Sequence, residues 1–361
     1  MSIMKTDNMR VNLVLHADNS AWIIEKIARR LVEHAPAFGA NLTIAERPDS
    51  AAAVNHWMSY AFANERHKTP TTMFITHIDD PYKAGLVRRE LESGVDAGIC
   101  MSSDTVERLV GLGAPRKKLC HIMLGHDGDI VPRRIVIGIT TRVYADGRKR
   151  EDLLGRLARA MPLEAFEFRI FGAGWDKIVP ELQKAGAIVN YDGGSDDYLA
   201  DYRTIVAAVP GFDYYLYLGL DEGSMGTLDA LSAGVGTIVT DQGFHKDLAD
   251  DLTHRFITFE ELLAIFRDLA GKRSRACARA ASLGWQRCAG DYVSVWREVS
   301  TGRPGNRVSL LGQPALANGS ADPRLADERR EFALRRFSPR RIRSALSHVP
   351  LLKPIRRLFR K

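Results

Sequence analysis

The sequence predicts an α/β protein of two successive doubly wound domains, followed by a linker and a basic tail. Three observations carry this. Short apolar runs bounded by Gly, Asp or Ser alternate with amphipathic stretches from residue 11 to residue 298. The alternation is interrupted once, by the polar segment LGHDGDIVPR at 124–133. After residue 300 the composition changes, first to Gly, Pro, Asn, Ser and Ala, then to Arg and Lys.

The totals agree. A chain of 361 residues is the size of two domains. Its 45% hydrophobic and 26% charged residues are those of an ordinary globular protein. No apolar run has the length needed to span a bilayer. The first run is only Val11 to Leu15, a first strand rather than a signal peptide. Cys100, Cys120, Cys277 and Cys288 form no Cys-x-x-Cys pair and read as reduced thiols of a cytoplasmic protein. The net charge of +7 is concentrated: residues 332–361 carry ten Arg and Lys and no acid, which leaves −3 for residues 1–331. A nucleic-acid-binding body is therefore not expected.

In chain order, VNLVLHAD (11–18) is a strand and Ser20 to Ala35 an amphipathic helix. Residues 41–46, 56–63 and 71–77 follow as strands. Residues 81–94 form a helix with Pro81 in its first turn and Gly94 past its end. DAGICMS (96–102) is a strand, 103–113 a helix opening on Ser103 and closing on Gly113, and KLCHIM (118–123) a strand. The domains are expected at 1–133 and 134–299, with the last helix crossing back to the first domain. The second domain has strands at 134–140, 166–174, 187–194 and within 212–219, and helices near 148–159, 176–185 and 196–208. Later helices are expected at 242–250, 259–270, 274–282 and 285–298. Residues 300–323 have linker composition. Residues 324–361 form a basic amphipathic tail broken by Pro339, Pro350 and Pro354.

The stretch from Phe212 to Asp241 reads as strand, acidic Gly loop, short helix, strand. The helix begins near Ser224 and ends at Gly234, which suits a C-terminal cap. Such a unit puts a helix N-terminus and two carboxylates at the carboxyl end of a parallel sheet, where open α/β folds bind ligands.

Four blocks, in this order, resemble the GT-B fold retaining glycosyltransferases, the large family that includes bacterial mannosyltransferases and sucrose synthase. They are ERLVGLGAPRKKLCHIMLGHD (107–127), IGITTRVYADGRKREDLL (137–154), FEFRIFGAGWD (166–176) and the stretch 212–241. The last resembles the family's motif of two Glu separated by seven residues. Asp221 and Asp229 keep that separation with Asp in place of Glu, and Glu222 is adjacent. Gly236 stands where the family usually has Pro. The resemblance implies two Rossmann-like domains facing across a cleft, acceptor on the first and nucleotide-sugar donor on the second.

It also implies roles. Arg142 and Lys149 match the pair that contacts the diphosphate, with Arg148 an alternative to Lys149. Asp229 would hold the ribose hydroxyls, since a carboxylate accepts two hydrogen bonds in a fixed plane. Asp221 or Glu222 would face the donor sugar. Gly223 and Gly226 would allow close backbone approach to the donor, and the helix starting at Ser224 and Met225 would add its N-terminal amides. His77, at a strand end, is the catalytic candidate of the first domain; His16 and Asp79 are acceptor-side candidates. In retaining enzymes of this class the donor phosphate itself can take the acceptor proton.

The expected activity is transfer of a hexosyl unit from a UDP- or GDP-type nucleotide sugar to a glycan or lipid-linked glycan, in cell-surface polysaccharide biosynthesis. A non-catalytic nucleotide-sugar-binding or scaffold protein at a membrane is the alternative. No metal is expected: Asp127-Gly128-Asp129 has the Asp-x-Asp string of a different transferase fold but lies in the linker, and no His/Cys cluster has ligand spacing. No Gly-x-Gly-x-x-Gly follows a strand, which argues against a dehydrogenase. The tail interleaves Leu346, Val349, Leu351, Leu352, Ile355, Leu358 and Phe359 with its cations. That suits the anionic inner face of a cell membrane, at about 1 kcal/mol per basic residue near the surface.

Overall fold

Continuous apolar runs, buried on both faces, build parallel strands, and both halves of the chain are built that way. The computed structural model describes residues 8–17, 22–63, 68–78, 80–195, 197–302 and 309–314, with 324 and 328 besides. The described residues fall into two units, one within Met1–Gly128 and Ala281–Lys361, the other within Asp129–Ala280.

In the first unit the strands are β1 (Met9–Val14), β2 (Ala40–Ala45), β3 (Val54–Trp57), β4 (Thr71–Ile75), β5 (Ala97–Cys100) and β6 (Leu119–His121). They form one sheet, all parallel, in the order β2-β1-β3-β4-β5-β6. Its helices are α1 (Trp22–His34), α2 (Pro81–Ser93) and α3 (Ser103–Gly111). Asp80 caps α2 by accepting from Lys83 N, with Pro81 in the first turn.

The second unit has β7 (Ile135–Ile139), β8 (Phe166–Phe171), β9 (Ile188–Asp192), β10 (Tyr214–Tyr217), β11 (Gly236–Thr240) and β12 (His254–Phe256). Its order is β12-β11-β10-β7-β8-β9, again parallel throughout. This is the doubly wound order in which the winding reverses between β7 and β10. On one face Ile137, Ile139, Phe168, Ile170 and Leu216 pack with residues of α4 (Asp152–Ala160), α5 (Val179–Lys184) and α8 (Phe259–Ala281). On the other, Val136, Tyr215, Tyr217 and Val239 pack with residues of α6 (Tyr198–Ala208) and α7 (Met225–Ser232). The chain then returns: α9 (Trp285–Thr301) buries Trp285, Tyr292, Val293 and Trp296 in the core of the first unit.

Several local expectations are corrected. The cap of α3 is Ser102, not Ser103, because Ser102 is extended and its hydroxyl accepts from Thr105 N. Residues 56–63 are not one strand; β3 ends at Trp57 and a 3-10 turn covers Tyr60–Phe62. The helix expected at 242–250 is reduced to a 3-10 turn at Gly243–His245, because Gly243 has φ +53° and His245 is drawn into the core. Strand β12 was not expected, since three residues carry no periodicity. The two helices expected at 259–270 and 274–282 are one, α8. Cys100, Cys120 and Cys288 are buried and Cys277 half-buried, all as free thiols. The tail from 329 onward lies outside the described residues.

Candidate functional site

A sheet whose winding reverses opens a crevice at the carboxyl ends of the two strands at the reversal. Here these are β7, which runs on into Thr140 and Arg142, and β10, which runs on into the acidic Gly loop. Ser224 begins α7 with extended backbone, and its hydroxyl accepts from Gly226 N at 3.3 Å. The same hydroxyl lies 2.7 Å from the Tyr215 hydroxyl. Burial pushes the Tyr215 phenol up to about 12, so it stays neutral. Gly226 is required: a Cβ there would lie 2.5 Å from both Thr140 Oγ1 and Tyr215 Oη. Thus β7, β10 and α7 meet at a point where no side chain fits.

Beside this point three polar groups converge. Lys149 Nζ donates to Asp221 Oδ2 at 2.6 Å and to the Tyr217 hydroxyl at 2.8 Å. The Tyr217 hydroxyl donates to Asp221 Oδ1. Arg148 Nε stands 3.9 Å from the same carboxylate. Partial burial disfavours the Asp221 charge, but the Lys149 and Tyr217 hydrogen bonds outweigh it and hold the carboxyl below the usual range. Tyr217 is driven well above the usual phenol range by its own burial and by the adjacent carboxylate.

Backbone and side-chain ties hold the cluster. Leu220 N donates to Arg148 O at 2.8 Å, and Gln242 Nε2 donates to Asp221 O. Arg150 lies across the strand ends, donating to Leu218 O at 2.7 Å, Thr240 Oγ1 at 3.3 Å and Ile257 O at 3.3 Å. It is the one described non-glycine residue with positive φ, +48°, a strain held by those three bonds. His245, fully buried, donates from Nδ1 to Thr240 O at 2.9 Å, so its Nε2 accepts from the Thr227 hydroxyl at 2.9 Å. Burial lowers its pKa, and the neutral ring meets Tyr217 edge-on at 5.5 Å.

Arg142 is not part of this cluster. It lines a cavity of about 450 Å3 with Thr140, Phe171, Asp192, Asp201 and Tyr202, at the carboxyl ends of β7, β8 and β9. Asp201 is held below the usual carboxylate range by hydrogen bonds from the Ser195 hydroxyl and amide, helped by Arg142. Thr140 belongs to both places: it lines the cavity and donates to the Tyr215 hydroxyl at 3.4 Å.

The other expected donor-side residues separate. Glu222 is exposed, and its carbonyl accepts from Phe244 N at 3.0 Å. Gly223 has φ +121° and lies against the Phe244 ring. Met225 is exposed, and Asp229 is half-buried on α7 with no side-chain hydrogen bond to its carboxylate among the described residues. In the first unit, His77 is exposed just after β4; its carbonyl accepts from the Tyr60 hydroxyl at 3.0 Å and its Nδ1 lies 3.0 Å from Thr76 Oγ1. His16 follows β1 and stacks on Phe62 at 4.3 Å. Asp79 lies outside the described residues. Among the described residues no group of three or more His, Cys, Asp or Glu side chains is placed to hold a metal ion.

Tyr217, Thr140 and Arg150 were not expected at the site. The aromatic run of β10 reads as plain core, although a buried tyrosine needs a partner for its hydroxyl.

The class these elements define is a protein of two successive doubly wound α/β units, matching the plan of the GT-B fold. No family model and no curated protein matches the chain. Solved structures that resemble it include HepE of Anabaena in complex with UDP and glucose, at 11% identity and a TM-score of 0.33, over 79% of this chain and 98% of that one. The lipopolysaccharide outer core galactosyltransferase WaaB is 11% identical with a TM-score of 0.32, over 79% and 99%. A sucrose-phosphate synthase from Thermosynechococcus elongatus is 13% identical with a TM-score of 0.33, over 82% and 100%. Likeness of this degree transfers no residue role, so the fold rests on the two sheets and the site on its own geometry.

Proposed function

We propose that the chain is a retaining glycosyltransferase of GT-B plan, moving a hexosyl unit from a UDP- or GDP-type nucleotide sugar to a glycan or lipid-linked glycan without a metal. The observation that carries this reading is the Lys149, Asp221 and Tyr217 cluster at the carboxyl end of β10, beside the start of α7. A diphosphate arriving there meets a lysine held at the site by two hydrogen bonds. Lys149 then serves the phosphate in place of Asp221, which frees the carboxylate for a sugar hydroxyl. Asp229 offers its carboxylate to the ribose hydroxyls. Arg142 serves the diphosphate from the neighbouring cavity. As the bond from the anomeric carbon to the phosphate oxygen breaks, the leaving phosphate gathers charge against these cations and takes the acceptor hydroxyl's proton, while the acceptor oxygen bonds the anomeric carbon on the same face.

On this reading the first unit carries the acceptor side, through His77, His16 and Asp79, and the basic tail 324–361 docks on an anionic membrane surface in polysaccharide biosynthesis. Incubation with UDP-, GDP- and dTDP-sugars tests it: hydrolysis or transfer with at least one donor is expected, with retention at the anomeric carbon. The direct pairing of Lys149 with Asp221, which spends each charge on the other, favours a second reading, a nucleotide-sugar binder without turnover. Binding of a donor with neither hydrolysis nor transfer would select it.

A further inference from the structure

The second unit has another cavity at the opposite end of its sheet. Its floor is formed where β7, β10 and β11 begin, at Ile135, Tyr214 and Gly236, and its volume is about 660 Å3. Strands of four to five residues put it roughly 15 Å from the Lys149 cluster. Four cations, Arg133, Arg134, Lys272 and Arg273, line it, with one carboxylate, Asp213.

How these cations are held decides what the cavity does. Arg133 is neutralised by Asp213, donating to Oδ2 at 2.9 Å with a second bond to Oδ1. Lys272 is neutralised by Asp268 at 2.7 Å. Arg134 and Arg273 are held otherwise. Arg134 Nη1 donates to Gly186 O at 2.8 Å. Arg273 donates from Nε to Arg133 O and from Nη2 to Pro132 O, each at 2.9 Å. Both guanidiniums are fixed by carbonyls alone, and among the described residues neither has a carboxylate partner. Carbonyls hold an arginine in place without cancelling its charge, and the remaining N–H groups stay available. Two such guanidiniums on one cavity are a preorganised site for an oxyanion, since Arg is the side chain suited to bidentate phosphate binding.

We propose that this cavity binds a phosphate group carried on a partly apolar body, with Arg134 and Arg273 taking the phosphate and Tyr214 and Leu269 facing the body. The source is either a soluble phosphate ester or a lipid headgroup. The site is independent of the activity proposed above.

Cys277 lines the same cavity and is the one cysteine of the four that is not buried, so its alkylation reports occupancy. The full chain is treated with iodoacetamide, a neutral reagent, and modification of Cys277 is followed by mass spectrometry. Inorganic phosphate is compared with chloride at matched ionic strength, and phosphatidylglycerol vesicles with phosphatidylcholine vesicles. Protection of about threefold or more by phosphate or by the anionic vesicles is expected, as charge-assisted bonds to two guanidiniums predict. Protection by phosphate identifies a soluble source; protection by vesicles alone identifies the headgroup. Arg273→Gln should abolish protection, with a small fall in melting temperature from its two lost carbonyl bonds, whereas Lys149→Ala should leave it intact. Equal rates in phosphate and chloride, together with equal rates in the two vesicles, would overturn the proposal, as would protection that survives Arg273→Gln. The wild-type comparisons decide even if that variant melts early.

Discussion

Tyr217 places its hydroxyl between the two charges of the candidate site, 2.8 Å from Lys149 Nζ and hydrogen-bonded to Asp221. A phenol that accepts from the ammonium and donates to the carboxylate fixes their separation while adding no charge. The site is thus a three-membered network rather than a simple ion pair, and its members should not act additively.

Removing one charge should therefore cost more than removing both. Lys149→Ala leaves a partly buried carboxylate with the tyrosine and, at 3.9 Å, Arg148, and should destabilise the fold by about 1–3 kcal/mol. Adding Asp221→Asn to it should recover most of that loss. Nucleotide affinity should fall in both variants, because the cation is absent from both. Chemical denaturation and calorimetry on the four members of the cycle check this.

Tyr217→Phe should cost about 1 kcal/mol, the net worth of a typical hydrogen bond, and change the acid limb of stability. The Asp221 carboxyl is depressed in the folded state. Its contribution is fully present above the ordinary carboxylate pKa and disappears as pH falls through the depressed value. Without the phenol the depression shrinks, so the loss should be smaller and complete at higher pH. Denaturation between pH 2 and 6 reads both effects as a difference from Asp221→Asn, which removes this group's titration and keeps the others.

His56 governs a separate limb. It is fully buried among Tyr292 and Trp296, its Nδ1 lies 2.8 Å from the Thr72 hydroxyl, and burial lowers its pKa to about 3. The unfolded chain takes up this proton near the ordinary histidine value while the folded chain does not. Stability is intact above about pH 6.5 and should fall as pH drops toward 3, by up to about 1.4 kcal/mol per unit from this group. His56→Gln should flatten that slope in the same titration.

Gly226→Ala should destabilise by about 1–3 kcal/mol, the range for overpacking, because the new methyl meets Thr140 and Tyr215 where β7, β10 and α7 converge. A lowered melting temperature with reduced nucleotide affinity is expected; an unchanged melting point would show that α7 has room to move.

The two ends of α7 are legible because their determinants are local. Ser224 and Gly234 mark the two ends of α7 through side-chain capping and a left-handed backbone, and both lie where the sequence put them. The two successive α/β runs likewise carry the parallel sheets. The rest depends on distant partners. Asp127 reads as linker, yet it accepts from Arg30, 97 residues away, and from Trp285, 158 residues away, and so ties α1 to the start of α9. No local pattern reports such contacts. Adjacent acidic residues also look alike in sequence: only the fold sets Lys149, 72 positions earlier, against Asp221 and leaves Glu222 exposed. The helix expected at 242–250 failed because a tertiary demand, the burial of His245 beneath Tyr217, overrode propensity.

The central claim is that Lys149 and Asp229 belong to one nucleotide-sugar site. The most direct test is calorimetric titration of UDP- and GDP-sugars into the wild type, Lys149→Ala and Asp229→Ala. The account predicts saturable binding of at least one donor, weakened about tenfold or more in each variant, a loss of about 1.4 kcal/mol. Absence of binding by every donor, or affinity unchanged in both variants, would contradict it.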